Sequence, residues 1–150
     1  MNNIVFVAGY ICSGKTYHAN EIADNKDYDM IEVSSIVREI LDTNERTELQ
    51  GHPELEDQII DRIQEIVKTT KKNGIVISGP RQLKIIQAFP EADCIWMNTT
   101  LKNCFERFQS RADSKDGETT FEAFEEYLMR DEELGLDEVK NYMRNKNEKN

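Results

Sequence analysis

Gly9-Tyr10-Ile11-Cys12-Ser13-Gly14-Lys15-Thr16 is the stretch from which the rest of the chain is read. It fits the pattern GxxxxGK[ST], in which each fixed residue type serves one physical task. Glycine is needed where the backbone turns tightly, so that successive N–H groups point inward as a nest for an anion. A helix starting at Lys15 adds its positive end to that nest. The Lys15 ammonium is a point charge for β- and γ-phosphates, and the Thr16 hydroxyl is a ligand for Mg²⁺. Gly9, Cys12, Ser13, Gly14, Lys15, Thr16 and the following Tyr17 are therefore the expected residues for ATP, and Thr16 is the expected metal ligand.

The flanks suit the loop. Ile4-Val5-Phe6-Val7-Ala8 is a continuous apolar run rich in β-branched residues, as in a strand buried on both faces of a parallel sheet. A helix follows from about Lys15 to Ala23. Asp29–Val33 is the second expected strand, and Ser34 or Ser35 caps a helix whose apolar face is Ile36, Val37, Ile40 and Leu41. Pro53 opens a long helix that Gly74 stops near Asn73, with Leu55, Ile59, Ile63, Ile66 and Val67 as its buried stripe. Gly74–Ser78 and Cys94–Met97 are the third and fourth strands, separated by a short helix over Gln82–Phe89. Leu101–Arg111 is expected as a helix burying Leu101, Cys104, Phe105 and Phe108. Thr119-Thr120-Phe121-Glu122 reads as a capping box for a helix running to about Glu133. After Gly135 only a helical stretch, Asp137–Arg144, is visible, so a fifth strand is missing. This order predicts an α/β, three-layer fold with about four parallel strands flanked by helices. One domain over 1–150 is expected, with a short lid near 112–119 and a polar, frayed tail from Asn145 to Asn150.

Composition narrows the partners. The chain has 150 residues and a net charge of −10. A protein this acidic lacks the basic face expected of a nucleic-acid binder, and its acidity fits solvated helix faces. No apolar run approaches the ~20 residues of a membrane span, and the start carries no basic leader; a soluble, cytoplasmic protein is expected. Cys12, Cys94 and Cys104 are odd in number and without CxxC spacing, so neither a disulfide framework nor a zinc site is suggested. Cys12 is either a reactive thiol or a filler in the loop. His18 and His52 lack partners at ligand spacing. Tyr10 is open to two readings, stacking on a base or facing solvent, and Trp96 reads as core.

The loop implies a nucleotide; the arginines imply a reaction. Phosphoryl transfer spreads negative charge over the moving group, and catalysis is positioning and neutralisation. Arginine suits this because its planar fork meets phosphate oxygens in pairs. Arg81 directly follows the third strand, and ligands of open α/β sheets lie outside the carboxyl ends of strands. Arg38 lies off the apolar face of its helix. Arg107 and Arg111 share the face opposite Phe105 and Phe108. Arg130 sits among Glu126, Asp131 and Glu133, where ion pairing at the surface is an equal reading. Among carboxylates on the acceptor side, Asp42, Glu45 and Glu48 have no spacing that selects one.

These residues resemble the nucleoside-monophosphate kinase group of P-loop kinases, including adenylate kinase and deoxynucleotide and dephospho-CoA kinase-like proteins. Ser78-Gly79-Pro80-Arg81 is similar to that group's strand-end DG(F/Y)PR, shorter by one residue. The resemblance implies that Arg81 and Arg38 grip the phosphate of the acceptor, and that Arg107 and Arg111 clamp the transferring group at the base of the lid. Arg130-Asp131-Glu132-Glu133-Leu134-Gly135 resembles the dephospho-CoA kinase-like subgroup. Ser78 stands where the group carries an acidic residue that helps hold Mg²⁺. The resulting expectation is a transferase that phosphorylates a (deoxy)nucleoside monophosphate with ATP and Mg²⁺, catalysed by Lys15, Arg107 and Arg111, with Arg38, Arg81 and Arg130 binding the acceptor. The alternatives are a kinase acting on a hydroxyl (a polynucleotide 5′-end or a small metabolite) and a nucleotide-binding protein that does not catalyse.

Overall fold

In the computed structural model, Asn3–Ala8 forms β1 at the heart of a four-stranded, all-parallel sheet. Residues 3–42, 53–110 and 119–148 are described below. The sheet order is β2 (Asp29–Glu32), β3 (Gly74–Ser78), β1, β4 (Asp93–Trp96). Pairing is direct across the sheet, with Phe6 opposite Ile77 on one side and Cys94 on the other. The expected strand count is met, and no fifth strand follows among the described residues.

Alternation along β1 sorts its side chains to two cores, because successive residues of a strand face opposite ways. Val5 and Val7 join Val76, Ala19, Ala23 and Tyr28 beneath α1 (Lys15–Lys26). Phe6 and Ala8 join Ile75, Ile77 and the larger core supplied by α2 (Val33–Leu41), α3 (Glu56–Thr69), α4 (Leu83–Gln87) and α7 (Leu136–Glu148). A third cluster of Ile11, Cys104, Phe108 and Phe124 joins the loop to α5 (Leu101–Gln109) and α6 (Phe121–Leu134).

Several boundaries differ from the sequence reading, each for a local reason. Val33 opens α2 instead of closing β2, because its side chain is buried with Ile36 and Val37; Glu32, not a serine, occupies the cap position. The helix expected from Pro53 begins as a 3-10 turn over Pro53–Leu55 and ends at Thr69. Thr70 turns extended, its hydroxyl donating to the Asp29 carboxylate, while the Asn73 amide donates to the Asp27 carbonyl at 2.9 Å. Those bonds draw the chain back beside β2 before β3 begins. Leu101, expected in the core, is exposed at the first position of α5. Thr120 caps α6 by accepting from the Ala123 amide at 3.2 Å, which leaves Glu122 one position short of a reciprocal capping box. The tail expected to fray is helical to Glu148: Met143 is buried, and the Lys146 ammonium donates to the Pro90 carbonyl at 3.0 Å.

Candidate functional site

The strands deliver the loop to the carboxyl edge of the sheet. Beyond the last paired residues, the Gly79 amide donates to the Val7 carbonyl at 2.9 Å and the Met97 amide to the Ala8 carbonyl at 2.8 Å. The chain must then turn within six residues, Gly9–Gly14, to start α1. Gly9 is required by close approach, since a Cβ there would lie 2.4 Å from Ser13 Oγ. Gly14 is required by its φ of 91°, the left-handed cap of α1. Cys12 adopts the same region, with φ 62°. The cap makes no side-chain hydrogen bond and the first turn holds no acidic residue, so the amides at the start of α1 are left for an anion.

Side chains complete the cradle. The Lys15 ammonium donates to the Tyr10 carbonyl at 3.3 Å. Thr99, after β4, donates to the Ser13 carbonyl at 2.7 Å and ties the loop from below. Ser13 Oγ is buried and lacks a hydrogen-bond partner among the described residues. Arg107 lies over the loop: its Nη1 donates to the Cys12 carbonyl at 3.4 Å and would stand 3.1 Å from a Cβ at Gly14. Cys12, Gly14, Lys15, Thr16, Tyr17 and Arg107 together line a recess of about 300 Å³, at the lower end of the size range of small-molecule sites. Tyr17 is 72% exposed beside it. Gly9, Cys12, Ser13, Gly14, Lys15, Thr16, Tyr17 and Arg107 are thus brought together at the loop.

Two acidic residues that the sequence did not single out sit at this edge. Thr16 Oγ1 donates to Glu32 Oε1 at 3.3 Å. Glu32 is the last residue of β2, and the rule that placed Arg81 at the cleft, strand ends facing the ligand, applies equally to it. A hydroxyl and a carboxylate at the rim of a phosphate cradle are the hard oxygen donors Mg²⁺ takes, usually one or two from protein with the rest from water and phosphate. Thr16 and Glu32 therefore fit that ion. Asp131 is the second: it accepts from Arg81 Nε at 2.5 Å while itself only 2% exposed. No group of three or more His, Cys, Asp or Glu suited to a metal occurs among the described residues.

The remaining candidates are more dispersed. Arg81 follows β3 two residues after Gly79, at which a Cβ would approach Lys15 Cε to 3.7 Å, and it does not line the recess. Arg130 is half-buried on α6, 5.9 Å over the Tyr127 ring. Arg38 is exposed on α2 and does not line the recess. Arg111, His52, Glu45, Glu48 and residues 112–118 of the lid lie outside the described residues, and Asp42 ends α2 as its left-handed cap. His18 Nδ1 faces Glu21 at 3.8 Å.

Tyr10 packs inward instead of facing solvent. Its ring packs edge-on against Trp96 at 5.2 Å, and the Lys140 ammonium of α7 lies 5.0 Å over it and donates to its hydroxyl at 2.9 Å. Trp96 is core, as expected. The cysteines are not in disulfides. Burial pushes the Cys104 thiol up, reinforced by nearby Cys12 and opposed by Arg107 and Lys15; burial does the same at Cys94.

No helix among the described residues is long and apolar enough to cross a membrane. Among solved structures, shikimate kinase from Bacteroides thetaiotaomicron is similar with a TM-score of 0.61 and 15% identity, covering 87% of this chain and 78% of that one. Shikimate kinase from Acinetobacter baumannii, in complex with shikimate, gives a TM-score of 0.58 at 11% identity, covering 89% and 76%. At these identities the likeness shows the fold alone, and neither of the two is a nucleoside-monophosphate kinase. A search of curated protein sequences finds no match. The sequence model of one family, described as AAA domain, matches residues 5–132. That span contains the phosphate loop, most of β1, all of β2, β3 and β4, and Arg107, so the chain belongs to the AAA domain family, as a nucleotide-binding P-loop protein of kinase-like fold.

Proposed function

We propose that the chain is a single-domain, Mg²⁺-dependent phosphotransferase that moves the γ-phosphoryl group of ATP to a (deoxy)nucleoside monophosphate. The observation that carries this reading is that cationic side chains stand both at the phosphate loop and just beyond the neighbouring strand β3. Lys15 and Arg107 border the phosphate cradle, and Arg81 stands at the end of the neighbouring strand. An acceptor phosphate held by Arg81, helped by Arg38 and Arg130, would meet the γ-phosphorus in line. Its oxygen bonds to that phosphorus as the bond to the β–γ bridging oxygen breaks, giving ADP and a nucleoside diphosphate. Arg107, with Arg111 at the lid base, neutralises charge on the moving group and excludes water. When bound at Thr16 and Glu32, Mg²⁺ supplies charge neutralisation at the β- and γ-phosphates.

The test is release of ADP over a panel of nucleoside and deoxynucleoside monophosphates. Turnover of at least one well above the ATPase background is expected; none with any would overturn the proposal.

A specific observation also favours a hydroxyl acceptor. Such a kinase needs a carboxylate near the strand ends to take the hydroxyl proton, and Glu32 is such a group. The two shikimate kinases similar in fold act, by their names, on shikimate. Transfer of label from ATP to shikimate or to a 5′-hydroxyl oligonucleotide, without transfer to monophosphates, would establish that reading instead.

A further inference from the structure

We propose that Asp131 is a positioning residue that holds Arg81 as a preformed receptor for two oxygens of an acceptor phosphomonoester; this rests on the assignment of Arg81 to the acceptor made above. The Asp131 carboxylate is buried on α6 and takes the Nε edge of the guanidinium at 2.5 Å. Neither terminal nitrogen of Arg81 has a hydrogen-bond partner among the described residues. The side chain is thus fixed by one edge and partly exposed, just beyond β3 and two positions after Gly79. An arginine tethered through Nε presents the two coplanar N–H groups that a phosphate accepts as a pair.

The tether is itself held. Gly135, with φ 109°, closes α6 by donating its amide to the Asp131 carbonyl at 3.2 Å and to the Glu132 carbonyl at 3.0 Å. A Cβ at Gly135 would lie 3.8 Å from the Arg81 carbonyl, so the end of α6 sits directly against the turn after β3. The chain therefore spends a buried carboxylate on fixing an arginine, and a carboxylate so placed cancels much of the positive charge available to a phosphate. What the pair adds is orientation, worth more to an in-line reaction than net attraction.

That distinction makes the proposal testable, because charge and orientation predict opposite signs. Removing the negative neighbour would tighten phosphate binding if only net charge mattered. We expect Asp131→Asn and Asp131→Leu to raise the acceptor KM about tenfold or more, with the KM for ATP within about twofold of wild type. In an Arg81→Ala background, Asp131→Asn should add no further rise, since the effect acts through Arg81. Thermal melts of each variant separate this from a loss of folding. A second measurement needs no turnover: the Arg81 Nε–H resonance, assigned by its absence in Arg81→Lys, is followed during titration with inorganic phosphate while a non-hydrolysable ATP analogue fills the loop. It should be slowly exchanging and move on phosphate addition in wild type, and phosphate should bind about tenfold more weakly in Asp131→Asn. Unchanged or tighter phosphate binding in that variant, or an Arg81 resonance indifferent to phosphate in wild type, overturns the proposal. Asp131-dependent phosphate binding without turnover of any monophosphate would instead retain it and remove the acceptor reading.

Discussion

At the scale of single residues, the phosphate loop makes the sharpest demands. On the proposed function, Lys15→Met removes the ammonium that serves the β- and γ-phosphates, and kcat should fall by about 10²–10³, as for loss of one preorganised charge donor. Gly9→Ala puts a methyl group 2.4 Å from Ser13 Oγ, so the loop must shift. ATP binding measured by calorimetry should weaken while the rest of the fold melts normally. Glu32→Gln distinguishes two roles of one carboxylate. If Glu32 helps hold Mg²⁺ with Thr16, the Mg²⁺ concentration for half-maximal rate rises about tenfold and excess Mg²⁺ restores most of kcat. If Glu32 is the base for a hydroxyl, kcat falls at every Mg²⁺ concentration. The loop was legible because its function resides in eight adjacent residues. Glu32, Thr99 and Asp131 were not, because each acts through a partner distant in sequence: Thr16, Ser13 and Arg81. A strand-end glutamate and a helix aspartate look like surface residues until the fold brings the partner alongside.

At the scale of elements, types were readable and ends were not. The apolar runs of β1, β3 and β4 mark buried parallel strands by composition alone. Helix ends depended on tertiary bonds such as Thr70 to Asp29, which no local pattern reveals. The α6 cap shows how small a margin is involved: with two threonines in sequence, a shift of one position decides whether Glu122 closes a box. Because Thr120 alone accepts from the Ala123 amide, Thr120→Ala should cost about 1 kcal/mol, while Thr119→Ala should leave the denaturant midpoint nearly unchanged. On α5 and β4, burial holds the Cys104 and Cys94 thiols neutral. A raised folded-state value means that their contribution to stability is complete below the ordinary thiol range, near ~8.5, and is lost as pH rises through the folded value. Iodoacetamide at neutral pH should therefore modify half-buried Cys12 first, with ATP slowing it, and reach Cys94 and Cys104 only on unfolding. Mass mapping of the labelled peptides checks the order.

For the whole molecule, the question is where the folding unit ends. The family match stops at residue 132, before α7, and the sequence after Gly135 reads only as a further helical stretch. The structure places α7 inside the larger core: Leu136, Val139 and Met143 are buried with Phe6, Ile77, Ile85 and Trp96. A four-stranded sheet needs helices on both faces, and α7 packs on β4 and α4. Its fully buried contribution is three side chains spaced along one face, with Tyr142 packed beside them, a thin signal among charged neighbours. Lys140, between them, reaches the Tyr10 ring and so ties this helix to the phosphate loop. Met143→Ala should then cost about 2–5 kcal/mol, the range for emptying a well-packed core site, whereas Lys140→Ala should cost only ~1 kcal/mol but weaken ATP binding through the loosened Tyr10. A chain cut after Gly135 would expose that whole apolar face and lose more than a marginally stable domain can spare. It should fail to give a cooperative melt even with saturating ATP; a truncated protein that melts cooperatively and binds ATP like the full chain would show that α7 is an appendage after all.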